Sequence, residues 1–143
     1  MVGVDPHVIG AVVVLTVLAA ATAFGLWRRR GDGALREPTR KADAVLFDSD
    51  LLGTELGSRA TLVQFSSAFC QPCRVTRVTL AEVARSVDGV VHVEIDAESH
   101  LDLVRRLGVT RTPTTFVLDQ HGQVVQRATG TPRRDAVHAV LPA

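Results

Sequence analysis

The chain has 143 residues, 46% of them hydrophobic, with 16 Lys and Arg against 15 Asp and Glu for a net charge of +1. That length allows one domain of about 100 residues plus an appendage, and a charge so near zero implies no acidic partner and no nucleic acid by bulk charge alone. Aromatic residues make up only 4% and Tyr is absent, so the core must be built mainly from Val, Leu and Ala.

The apolar residues are unevenly spread. Val8 to Trp27 is an uncharged run of 20 residues, enough to cross the ~30 Å hydrocarbon layer as a helix. Trp27 suits the membrane interface, and Arg28, Arg29 and Arg30 end the run. The competing reading is a cleaved signal peptide, with Ala21-Thr22-Ala23 as its cleavage motif. Against it, no Lys or Arg precedes the run, the run exceeds a usual signal core, and the triple Arg follows directly. The expectation is an uncleaved single-pass anchor, within residues 1–30, that places Val8–Trp27 in a lipid bilayer. Asp5 is on the outer flank, whereas Arg28, Arg29, Arg30, Arg36, Arg40 and Lys41 lie on the inner one. The positive-inside rule then places residues 28–143 on the cytoplasmic face.

Residues 31–43 carry Gly, charge and Pro38 without a sustained apolar period, and read as a linker. From Ala44 onward the pattern is that of a domain, 44–143. Ala44–Phe47 is a short edge strand and Asp48–Gly57 holds a helical turn. Thr61–Ser66 is a central strand, apolar and β-prone. Cys70–Val87 is a long helix with Val75, Val78, Leu80, Val83 and Ala84 as buried candidates, ended by Gly89. Val90–Ile95 is a strand, and Glu98–Leu107 a helix burying Leu101, Val104 and Leu107 up to Gly108. Thr114–Leu118 and Val124–Ala128 form a hairpin turned at His121-Gly122. Arg133–Leu141 closes the chain as a helix placed by Pro132. A parallel βαβ half joined to an antiparallel ββα half gives an α/β fold, a mixed central sheet flanked by helices.

The chemistry concentrates at Cys70-Gln71-Pro72-Cys73, directly after the central strand. Pro is tolerated in a helix's first turn, so Cys70 falls at a helix start, where free N–H groups and the helix dipole favour a thiolate. The pair could also be a structural disulfide, buried thiols or half a zinc site. A disulfide closing two residues would restrict the unfolded chain very little. A zinc site needs a second Cys/His pair, and His92, His100, His121 and His138 are scattered. Thiol–disulfide exchange is the favoured use of such a pair.

The run Thr61-Leu-Val-Gln-Phe-Ser-Ser-Ala-Phe-Cys-Gln-Pro-Cys-Arg74 resembles the active site of the thioredoxin family, a hydrophobic strand followed by aromatic-Cys-x-Pro-Cys. Thr112-Pro113-Thr114 looks like the family's second signature, the loop whose cis-proline faces the cysteines, at a similar spacing. Gly122 and Gly130 stand where the family has a hairpin glycine and a glycine beside the substrate groove. The resemblance covers about Val45 to Leu141 and implies a thioredoxin-like fold after the anchor. Many membrane-tethered bacterial relatives face outward, so the extracytoplasmic side is the alternative to the one the charges indicate.

The resemblance also implies roles. Cys70 is the nucleophile that forms a mixed disulfide with a protein substrate, and Cys73 resolves it, leaving a Cys70–Cys73 disulfide. Pro72, where some relatives have His, leans toward a reductant; Gln71 replaces the usual Gly. Thr112 and Pro113 offer backbone to a substrate strand. Phe69 stands for a common Trp on an exposed apolar rim. Gln64 stands where thioredoxins usually carry a buried Asp and His92 where they carry a Lys. Gln cannot titrate, so either His92 takes over proton transfer through Gln64 or a water, or the two are simply a satisfied polar pair. The expected activity is reduction of protein disulfides, with no metal or bound cofactor and an upstream dithiol protein or reductase as electron donor. The alternatives are a soft-metal-handling module on Cys70 and Cys73 and a docking domain with a vestigial redox pair.

Overall fold

The computed structural model describes residues 5–38 and 45–143, which fall into two units divided after Gly31. The first is a helix, α1, Pro6–Arg30, 25 residues long. Pro6 occupies its first turn, where a missing N–H costs nothing. Its two hydroxyls are satisfied within the helix, Thr16 Oγ1 donating to the Val12 carbonyl at 2.8 Å and Thr22 Oγ1 to Leu18 at 2.7 Å. No residue of α1 is buried, and it is long and apolar enough to cross a membrane, a property it shares with signal sequences.

The second unit begins at Asp32. In chain order its elements are β1 (Leu35–Arg36), α2 (Ser49–Leu52), β2 (Ala60–Ser66), α3 (Gln71–Ser86), β3 (Val90–Asp96), α4 (Leu101–Arg106), β4 (Thr114–Leu118), β5 (Val124–Thr129) and α5 (Arg134–Ala139). They build one five-stranded sheet in the order β1-β5-β4-β2-β3. Strands β2 and β3 are parallel, while the β2–β4, β4–β5 and β1–β5 pairs are antiparallel. This is the mixed α/β sheet expected from the sequence.

Every residue of β2 is buried, which its near-continuous apolar run required. Val63 and Phe65 face one core, where Phe47, Phe65 and Phe116 meet at ring centroid distances of 6.1 and 5.7 Å. Ala60 and Leu62 face the other, packed with Leu80 and Val83 of α3 and Val137 of α5. Gly122 closes the β4–β5 hairpin at φ +79°, and a Cβ there would collide with the Phe47 carbonyl. The Phe47 N–H in turn donates to the Gly122 carbonyl at 3.0 Å, so the hairpin holds the residue that fills the core.

Three expectations are corrected. The first strand is Leu35–Arg36, inside the segment read as linker, whereas residues 45–48 form no strand and Ala44 lies outside the described residues. Leu35 pairs with Ala128 and Arg36 with Arg127. Their two-residue ladder exists because β5 offers an open edge, which no local pattern could show. On α3, the buried stripe is Cys73, Thr76, Leu80 and Val83, leaving Val75 and Val78 more than half exposed. Thr76 outcompetes its apolar neighbours because it lies on the stripe that starts at Cys73. On α4, Leu103 is buried and Leu101 exposed. The helix starts three residues late because Asp96 holds residues 98 and 99 in a turn, its carboxylate accepting from the Glu98 N–H at 3.0 Å and the Ser99 hydroxyl at 2.5 Å.

Substituting Phe116 by Ala should lower the unfolding free energy by about 3–5 kcal/mol, the cost of a core cavity. Val75→Ser should change it by no more than about 0.5 kcal/mol. Denaturant midpoints of the two variants check both.

Candidate functional site

Cys70 is the N-cap of α3, with φ −92° and ψ 98°, so the chain leaves the sheet extended and turns into the helix at the sulfur. The Cys73 N–H donates to Cys70 Sγ at 3.2 Å. This is one of the first-turn N–H groups that have no partner inside a helix, here spent on a sulfur. Cys70 and Cys73 form a disulfide with their Cα atoms 5.2 Å apart. The two sulfurs are not equivalent: Cys73 is 1% exposed, Cys70 is partly exposed. Phe69, 98% exposed, stands beside Cys70, and Gln71 and Pro72 are exposed on the first turn.

The loop Arg111–Pro113 comes to the same end of the sheet. The Thr112–Pro113 peptide is cis, as the resemblance implied. Thr112 Oγ1 lies 2.9 Å from Ser67 Oγ, and the Cys70 N–H donates to the Ser67 carbonyl at 3.3 Å. Ser67 therefore ties the cysteine loop to the proline loop. The Gly130 N–H donates to the Pro113 carbonyl at 2.8 Å, adding the third loop.

Beneath these loops Gln64 is fully buried and fully bonded. Its Nε2 donates to the Cys73 carbonyl and to Ser66 Oγ, both at 2.9 Å. Its Oε1 lies 3.2 Å from His92 Nε2. A carbonyl only accepts, so the Cys73 end fixes the amide with nitrogen toward the helix. An amide oxygen also only accepts, so His92 Nε2 must carry hydrogen. Gln64 thus presents donors, not an acceptor, toward Cys73. The polar pair foreseen between residues 64 and 92 is formed. A proton leaving Cys73 finds no lone pair on the Gln64 nitrogen.

Burial pushes the His92 pKa down, the Glu94 carboxylate opposes that shift, and Arg77 adds to it. Glu94 itself is held below the usual carboxylate range, chiefly by its hydrogen bond with Arg77, whose Nε and Nη2 donate at 2.6 and 2.8 Å. Sequence reasoning missed Ser67, whose role depends on a loop 45 residues away. It also missed Thr115, which faces Gln64 in the β2–β4 register and whose hydroxyl is buried without a hydrogen-bond partner among the described residues.

The thioredoxin family profile, described as "Thioredoxin", matches residues 40–143. The chain belongs to the thioredoxin family. A rice (Oryza sativa subsp. indica) thioredoxin H-type is 21% identical over 95 residues, 66% of this chain and 77% of the relative. Thioredoxin H2 of Arabidopsis thaliana is 30% identical over 73 residues, 51% of this chain and 54% of its own length. Among solved structures, spinach chloroplast thioredoxin f superposes with a TM-score of 0.52 at 21% identity, over 59% of this chain and 76% of that one. That structural likeness carries the fold. Family and cysteine pair together support thiol–disulfide redox chemistry at Cys70 and Cys73.

The depressed His92 pKa has a defined sign. The unfolded chain takes up the His92 proton first as pH falls, so stability complete above about pH 6.5 declines as pH drops through the unfolded value toward the folded one. Replacing His92 with Phe should flatten that part of the curve while leaving the loss that sets in below about pH 4.5, where Glu94 of the unfolded chain takes up a proton before Glu94 of the folded one. Urea midpoints measured from pH 8 to pH 4 in both proteins check this.

Proposed function

We propose that this protein is a membrane-tethered thiol–disulfide oxidoreductase that reduces protein disulfides. The observation that carries the reading is the asymmetry of the pair: Cys70 partly exposed, capping α3 and receiving the Cys73 N–H, with Cys73 buried behind it. In the reduced protein the Cys70 thiolate attacks one sulfur of a substrate disulfide. The second substrate sulfur leaves as a thiolate and takes a proton. Cys73, deprotonated in turn, attacks Cys70 Sγ, the mixed disulfide breaks, and the first substrate sulfur leaves. Two electrons pass to the substrate, and the protein is left with the Cys70–Cys73 disulfide of the structure. A dithiol protein or reductase restores the thiols.

Cys73 needs no base on Gln64 in this scheme, and its proton goes to water or to the departing thiolate. His92 is then a positioning residue that fixes the Gln64 amide. Thr112 and Pro113 supply the backbone edge for a substrate strand, and Phe69 its apolar contact. Pro72 supports the reducing direction by family resemblance. The length and composition of α1 support a bilayer anchor over Val8–Trp27, and the basic run from Arg28 supports a cytoplasmic redox domain.

Equilibration of the full chain with glutathione buffers should give a reduction potential near thioredoxin's, about −270 mV. A potential above about −180 mV would make it an oxidant or isomerase. Cys73→Ser should accumulate a mixed disulfide through Cys70, visible as a mass increase equal to the substrate, and Cys70→Ser should accumulate none. Trapping by neither variant would remove the exchange mechanism.

A further inference from the structure

The family match starts at residue 40, yet the folded unit starts at Asp32. Residues Asp32–Arg36 lie outside the matched span, and they touch the site. Leu35 and Arg36 pair with Ala128 and Arg127, and the Gly33 N–H extends the ladder by donating to the Thr129 carbonyl at 2.7 Å. Gly33 is buried at φ +74°, and a Cβ there would strike the Thr131 carbonyl. The register fixes Gly33 and so sets the backbone position from which Asp32 reaches the loops.

It ends between two site loops. The Asp32 carboxylate pairs with Arg111, the residue before Thr112-Pro113. The same carboxylate fills the space beside Gly130: a Cβ on residue 130 would lie 2.6–2.7 Å from its atoms. Gly130 holds the Pro113 carbonyl through its N–H, and Thr112 meets Ser67 of the cysteine loop. Asp32 is thus the outer end of a continuous chain of contacts, through Arg111 and Gly130 to both sides of the cis-proline and on to the loop that carries Cys70.

We infer that Asp32 is a positioning residue for substrate docking, acting through Arg111 and Gly130 on the Thr112–Pro113 loop. The inference rests on the disulfide-reductase reading above. The strand Leu35–Arg36 fixes the carboxylate in place. The carboxylate holds the loop in the conformation that receives an extended substrate strand, and the substrate class is a disulfide flanked by enough peptide to pair with that loop. Both partners of the ion pair are about half exposed, with side-chain exposures of 48% and 47%, so the effect of breaking it is bounded.

The test uses the full chain in detergent micelles, a disulfide-bonded peptide as substrate and dithiothreitol as electron donor. Asp32→Asn and Arg111→Gln should each raise KM by about threefold with kcat held, and the double variant should also sit at about threefold, since each single change already breaks the contact. Asp102→Asn, at an exposed pair on α4, should leave KM and kcat alone. A KM unmoved by Asp32→Asn, a loss confined to kcat, or additive effects near about ninefold in the double variant would overturn the inference. A parent chain that reduces no disulfide would instead defeat the functional reading and this inference with it.

Discussion

The fold depends on the complete burial of β2. A strand that is paired on both sides and covered on both faces has no backbone or side chain left for water, so its position is fixed more tightly than any other element. The loop that follows inherits that rigidity. Ser66 ends the strand, Ser67 catches both Cys70 and Thr112, and Cys70 opens α3. A reactive sulfur on a mobile loop would have to be ordered at each encounter. Here that ordering is built into the sheet, as preorganised sites require.

Gln64 extends the constraint to the helix. A fully buried side chain with an amide at its tip is stabilising only if every polar atom is satisfied. Gln64 meets that condition with Cys73, Ser66 and His92, which lie on α3, β2 and β3. One side chain therefore locks the three elements around the buried cysteine. The relatives' usual Asp would bring an ionisable group to this place; the amide brings none, and burial lowers the pKa of the neighbouring imidazole.

Much of this could be read in the chain. The strand before Cys70, the helix that opens at Gln71-Pro72 and the hairpin at Gly122 each follow from local rules of burial, proline and turn geometry, and the Thr112-Pro113 loop from the resemblance. The pairing of Gln64 with His92 followed from two strands whose register the resemblance supplied. The failures share one physical origin. Leu35–Arg36 is a strand only because β5 has an open edge, and Arg111 with Asp32 is an ion pair across 79 residues. Val75, Val78 and Leu101 look like core by type, but helix phase, set by Cys73 on α3 and by the Asp96 turn before α4, turns them to solvent. Contacts decided by tertiary meeting leave no periodic trace.

Gly130 illustrates what such a meeting does to a chain over evolutionary time. The position favours glycine by its φ of +97°, and the Asp32 carboxylate crowds the side-chain space besides. Positions 32, 111 and 130 are thereby coupled in space. A relative that places a larger residue at 130 must displace the carboxylate, which leaves Arg111 only the Thr129 carbonyl among the described residues; a relative that loses the strand at 35–36 removes the crowding by the carboxylate but keeps the restriction imposed by backbone conformation. Covariation among these three positions, rather than the identity of any one, is the trace this brace should leave among sequences that carry it.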